Sequence, residues 1–194
     1  MSGLAGRALV LASRSPRRAA LLREAGYLVL VDPSDAREDW PDSLAPGQAV
    51  VELALAKARH VASRRGDDIV MGADTEVMLD GSPLGKPASR VDAARMLTRL
   101  SGREHEVWSG VAVVWRSREY SGAEQARVWF RTLTERVIDT YLDSAVYLDK
   151  AGAYGIQEDG AALVKHREGR LDTIVGLPMN VVERLWLRVQ GDQP

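Results

Sequence analysis

LVLASRSPRRAALLREAG, residues 9–26, begins as a buried strand and ends with the spacing of a helix. The apolar run over residues 8–12 predicts the strand, and Ser15 followed by Pro16 reads as an N-cap with proline at the first helical position. Ala19, Leu21, Leu22 and Ala25 then line one helical face, and Gly26 supplies the stop. Between the two periods stand Arg17 and Arg18, in a first turn where the helix dipole is already positive and acidic residues would be favoured. A helix start just after a strand points unpaired backbone N–H groups at whatever lies before it and so makes a ready anion site. With the hydroxyls of Ser13 and Ser15 as further donors, the two arginines become useful if the missing negative charge arrives as a phosphate chain.

The same alternation continues outward from this stretch. A second strand, YLVLV, leads into an acidic loop over Asp32 to Pro46, and a long helix at about 48–64 carries Val50, Leu53, Ala54, Lys57, Ala58 and Val61 at helical spacing. The buried strand DIVMGA is expected to end at GADT and so deliver Asp74 and Thr75, with EVMLDGSPLG as a further strand and turn. Ser89 and Asp92 form a capping signature for a helix running to Leu100. EVWSGVAVVW and EQARVWFRTL read as a hairpin across RSREYSGA, and Thr134 starts a short helix. After the glycine-rich loop DKAGAYGIQEDG come the expected strands AALVKH and LDTIVG, then a helix from Pro178 with Val181, Val182, Leu185, Trp186 and Val189 inward. Strands alternating with helices and long hairpins predict one α/β domain over residues 1–194, with a mixed twisted sheet flanked by helices.

The composition narrows the chemistry. A net charge of -1 gives no global field for nucleic acid or an anionic membrane, so anion recognition must be local. With no cysteine there are no disulfides, thiolate nucleophiles or cysteine-ligated zinc, and a reducing cytoplasm is the expected setting. No apolar run approaches the roughly 18 residues that span a bilayer. Twenty-two arginines against four lysines make each lysine notable, and three of the four lie in LALAKA (Lys57), LGKP (Lys86) and DKAGAYG (Lys150).

Several residue sets could carry a reaction. Asp74 can hold a divalent cation through oxygen, orient or deprotonate a water, or cap a turn. Lys86 follows in a turn fixed by Gly85 and Pro87, which could aim its ammonium back at Asp74. Lys57 sits among alanines, where the bland reading is a snorkelling surface residue. Gln157 offers an amide donor and acceptor, as the carbonyl and N–H of a pyrimidine require. His60, His105 and His166 are scattered without metal spacing and read as structural. There is no GxxxxGK[ST], GxGxxG or GxSxG, so a nucleotide would be held by another arrangement.

LASRSPRR, LALAKA, GADTEV, LGKP, LSGREHEVWSGVAV, DKAGAYGIQ and VGLP, in this order and at these intervals, closely resemble the Maf family of nucleoside triphosphate pyrophosphatases, from about Leu9 to Leu187. The resemblance implies a fold shared with the inosine-triphosphate pyrophosphatases, two lobes around a cleft, a divalent metal (Mg²⁺ or Mn²⁺) and often a homodimer. It implies water attack between the α and β phosphates, with Asp74 as proton acceptor or metal ligand and Ser13, Ser15, Arg17, Lys57 and Lys86 around the triphosphate. Arg17, Thr75 and Gln157 match the positions that set base choice, and the AGAYGIQ form is similar to the subgroup acting on dTTP and UTP. Of the two arginines, Arg17 is the ligand-facing choice, and Arg18 either joins it at the substrate or is its solvated neighbour. Family members usually carry two adjacent acidic residues after the second strand. Here PSDAREDW has Asp35 followed by Ala36, so Asp35 or Glu38 takes the role of second metal carboxylate, or the metal is held more weakly. The alternatives are a relaxed or 7-methyl-GTP-directed pyrophosphatase, and a nucleotide-binding regulator of septum formation with little catalysis.

Overall fold

In chain order the elements are β1 (Leu9–Leu11), α1 (Pro16–Glu24), β2 (Val29–Val31), α2 (Pro46–Ala62), β3 (Ile69–Leu79), β4 (Ser82–Pro83), α3 (Arg90–Leu100), β5 (Glu104–Trp115), β6 (Arg118–Phe130), α4 (Glu135–Ser144), β7 (Val164–Glu168), α5 (Leu171–Val175) and α6 (Met179–Gly191). Short 3₁₀ turns lie at Ala151–Ala153 and Asp159–Leu163. This computed structural model describes residues 8–144, 147–157 and 159–191. The strands form one mixed seven-stranded sheet in the order β2-β1-β3-β5-β6-β7, with β4 beside β3. β1 runs parallel to both β2 and β3, Leu9 facing Val29 on one side and Ile69 on the other. Among the described residues no helix is long and apolar enough to cross a membrane.

The chain divides into two compact units. The first comprises Met1–Asp74, Ser109–Glu124 and Gly176–Pro194. Its short central strand explains why residues 9–12 are apolar without alternation: both faces are covered. Leu9 and Leu11 join Ala19 and Leu22 of α1 and Val181, Val182, Leu185 and Val189 of α6. Val10 and Ala12, pointing the other way, pack with Ala54, Leu55, Ala58 and Val61 of α2. A Cβ added at Gly72 of β3 would lie 2.1 Å from the Ala54 carbonyl oxygen, and one at Gly110 of β5 would lie 2.4 Å from that of Val50. Helix α2 thus rests backbone against backbone on two strands.

The second unit comprises Thr75–Trp108 and Gln125–Val175. Its buried side chains include Val77 and Leu79 of β3, Leu97 and Leu100 of α3, Phe130 of β6, Tyr141 of α4 and Leu163.

Three expectations from the sequence are corrected. β3 does not end at GADT but runs on to Leu79, because Thr75 to Leu79 keep a strand-compatible sequence until the Asp80–Gly81 turn. The hairpin between β5 and β6 turns over Arg116 and Ser117 alone, with Arg116 at φ 55°, so most of RSREYSGA is strand rather than loop. LDTIVG is a helical turn, α5, not a strand: burial of Thr173, Ile174 and Val175 against the unit's core outweighs their β-branched preference.

Candidate functional site

In the first unit, α1 starts as its sequence suggests. Ser15 is the N-cap, its hydroxyl accepting from the Arg18 amide at 3.5 Å; Pro16 opens the helix, and its first turn holds no acidic residue. The Ser13 hydroxyl accepts from the Ser15 amide at 3.2 Å, folding the SRS segment over the helix start. A hydroxyl that accepts can still donate its own hydrogen, so both serines keep a donor to offer an anion. Arg17 is half-buried beside them.

Arg18 is not a solvated neighbour. Its Nε donates to the Gly176 carbonyl at 2.8 Å, and its Nη1 donates to the Ala73 carbonyl at 2.8 Å and to the Ser13 hydroxyl at 3.1 Å. Burial lowers its pKa, with the charges of Asp74 and Glu38 opposing that shift. One guanidinium therefore ties the segment after β1 to the strand residue before Asp74 and to the turn before α6.

Lys57 and Asp74 form a buried ion pair, Nζ to Oδ1 2.6 Å, with side chains only 9% and 10% exposed. Close docking of α2 on Gly72 brings Lys57 to this strand, with Ala54 and Ala58 flanking it in the helix. Glu38 approaches the same ammonium at 3.1 Å from a more exposed position. Asp35 is engaged elsewhere, by Arg14 at 2.6 Å on the surface. The loop bearing both acids is pinned at one end by Asp32, whose hydrogen bonds from Arg64 and Arg65 hold its carboxyl at about 2. It is pinned further along by His60, whose Nδ1 accepts the Asp35 amide at 3.2 Å and lies 3.0 Å from the Ser34 hydroxyl. Among the described residues no three His, Cys, Asp or Glu side chains gather as a metal-binding group.

The second unit holds Thr75, Lys86 and Gln157. Lys86 and Gln157 are exposed and Thr75 is half-buried. The turn before Lys86 is held by Glu76, whose Oε1 accepts from the Gly85 and Val77 amides at 2.9 Å each. The Gly85 carbonyl in turn accepts from the Gly152 amide at 2.9 Å, which joins the Lys86 turn to the loop carrying Gln157. Glu76 was not among the residues the sequence singled out; the available signal was a second carboxylate two residues after Asp74, on the same face of a strand. Lys150, in that loop, is buried and pairs with the exposed Asp149 at 3.0 Å, so two of the four lysines are interior.

The first unit thus has the parts for gripping a polyanion next to a carboxylate held by an ammonium, and the second presents a lysine turn coupled to an amide-bearing loop. A dTTP/UTP pyrophosphatase of Moorella thermoacetica is 50% identical over 179 residues, covering 91% of this chain and 92% of that protein. One of Desulfitobacterium hafniense is 46% identical over 199 residues, covering 96% of this chain and 89% of its own. Among solved structures, the Ham1 protein of Staphylococcus aureus superposes with a TM-score of 0.51 at 14% identity, over 96% of this chain and all of that one, and so shares the fold. The family model described as Maf-like protein matches residues 8–188, and the chain belongs to the Maf family.

Proposed function

We propose that the chain is a nucleoside triphosphate pyrophosphatase that hydrolyses dTTP and UTP to the monophosphate and pyrophosphate. The observation that carries this is 50% identity, across about nine-tenths of both chains, to a protein named for that activity. The proposed division of labour follows the sequence motifs. A triphosphate presents its negative charge to the start of α1, where backbone N–H groups, the Ser13 and Ser15 hydroxyls and Arg17 meet it. Lys86 adds a further positive charge. Water attacks across the α–β phosphoanhydride, giving its proton to Asp74, while the bridging bond breaks and its electron pair leaves on pyrophosphate. Lys57 holds Asp74 in place and compensates charge, which suits a reaction governed by positioning and electrostatics rather than covalent catalysis. Arg17, Thr75 and Gln157 select the base, the Gln157 amide matching the paired carbonyl and N–H of thymine or uracil.

Asp74 and Glu38 would hold a divalent cation. They carry hard oxygen donors and already share one cation, the Lys57 ammonium. Mg²⁺ commonly takes only one or two protein carboxylates and completes its shell with phosphate oxygens and waters, so this donor pair fits it or Mn²⁺. Bound there, the ion would supply positive charge to the phosphate oxygens as the anhydride breaks.

Pyrophosphate release measured from dTTP, UTP, CTP and 7-methyl-GTP with each divalent cation tests the reading. Turnover of dTTP and UTP well above the others is expected, and Asp74→Asn should reduce it by about 10³-fold while the protein stays folded. Preference for 7-methyl-GTP would overturn the substrate, and dTTP binding without turnover under every cation would overturn catalysis in favour of a nucleotide-binding regulator.

A further inference from the structure

Beneath the loop that carries Gln157, the second unit buries a polar pair that the proposed chemistry does not use. His105 of β5 is 2% exposed and Tyr154 is 6% exposed. His105 Nε2 and the Tyr154 hydroxyl are hydrogen-bonded at 2.7 Å. Both rings meet Phe130 edge-on, with centroids 4.9 and 4.8 Å away. Burial pushes the imidazole down to about 4 and the phenol upward, so both are neutral at ordinary pH. The other ring nitrogen, His105 Nδ1, has no hydrogen-bond partner among the described residues.

Such a pair is a poor way to stabilise a core. Two apolar side chains of the same shape would fill the space at little or no cost, whereas a buried polar atom without a partner carries a penalty. What the pair adds is direction: an apolar contact lets a ring slide or roll, and a short hydrogen bond does not. Tyr154 lies three residues before Gln157, in the loop whose Gly152 amide donates to the Gly85 carbonyl and whose Gly155 amide donates to the Tyr141 hydroxyl at 3.2 Å. These two bonds fix backbone. The His105 bond fixes a large aromatic side chain that the loop sends into the core.

We propose that the His105–Tyr154 hydrogen bond is a positioning device that sets the loop holding Gln157 and thereby the choice of base. The inference deepens the dTTP/UTP reading and rests on it. His105 and Tyr154 are positioning residues that act through Gln157.

The test compares kcat and KM for dTTP, UTP and CTP in the wild type, Tyr154→Phe, His105→Leu and His105→Gln, together with thermal unfolding. Tyr154→Phe keeps the ring against Phe130 and deletes only the hydroxyl. It should unfold close to the wild-type temperature, yet its kcat/KM preference for dTTP over CTP should fall about tenfold, mostly through a higher KM for dTTP. His105→Leu should behave alike, and His105→Gln, whose amide can face the Tyr154 hydroxyl, should recover most of the preference. Undiminished preference in Tyr154→Phe, or an equal loss on all three nucleotides, overturns the proposal; Tyr154→Phe decides alone if His105→Leu does not fold. A wild type without preference among the nucleotides sinks the substrate reading and this inference together. A selective wild type with equally selective variants sinks this inference only.

Discussion

Lys57 is where three charges meet, and its two carboxylates do not depend on it equally. Asp74 is buried against it at 2.6 Å, while Glu38 can turn to water. Lys57→Met strands a buried carboxylate and should cost about 3 kcal/mol in urea unfolding, whereas Asp74→Asn leaves Lys57 its Glu38 partner and should cost nearer 1 kcal/mol. Equal losses in the two variants would mean that the pair is not the local unit it looks to be. His105 sets a different signature. Its folded pKa is about 4 against 6.5 when exposed, so between these values the unfolded chain binds the extra proton. Stability should therefore be flat above pH 6.5 and fall by up to about 3 kcal/mol on the way to pH 4, and His105→Gln should remove that part of the slope. Scarcity of lysine made Lys57 legible in the sequence, although its bland reading there was a surface residue. The role of Arg18 was not legible, because two of its partners are backbone carbonyls, at Ala73 and Gly176, and no residue type announces those.

At the scale of elements, the delivery of Lys57 depends on how closely α2 lies on the sheet. Gly72→Ala places a methyl group where the Ala54 carbonyl already stands, so helix or strand must move. We expect a loss of about 3 kcal/mol in stability. We also expect a drop in pyrophosphate release larger than that of a substitution on the exposed face of α2, such as Glu52→Ala. Activity at the wild-type level would show that the approach of helix and strand does not govern the pair. The sequence carried much of this arrangement. Apolar residues at helical spacing placed α2 within two residues of its ends, and the Ser15 and Ser89 caps held. It misled where tertiary burial outweighed local preference, as in α5, and where a strand kept going past its polar residues, as β3 does through Asp74.

At the scale of the whole molecule, β1 and α1 are the partners of α6, far along the chain in the same unit. α6 supplies Val181, Val182, Leu185 and Val189 to the cluster that buries Leu9, Leu11 and Leu22, and the Gly176 carbonyl holds Arg18. A chain ending at Val175 should lose cooperative unfolding and near-ultraviolet dichroism; a sharp thermal transition in that truncation would refute the shared core. The sequence displayed one unbroken series of motifs and no linker, and the two units explain why. Three of their four boundaries fall inside strands, between Asp74 and Thr75, Trp108 and Ser109, and Glu124 and Gln125, where extended backbone continues without a turn; the fourth, between Val175 and Gly176, follows α5. The backbone contact at Gly72 and Gly110 also has a genetic meaning. Every missense change of a glycine codon adds a Cβ, and at these two positions that atom meets helix backbone and has nowhere to go. Neither position offers a neutral single step, so a lineage that moves α2 relative to its sheet must first change the residues of the helix itself.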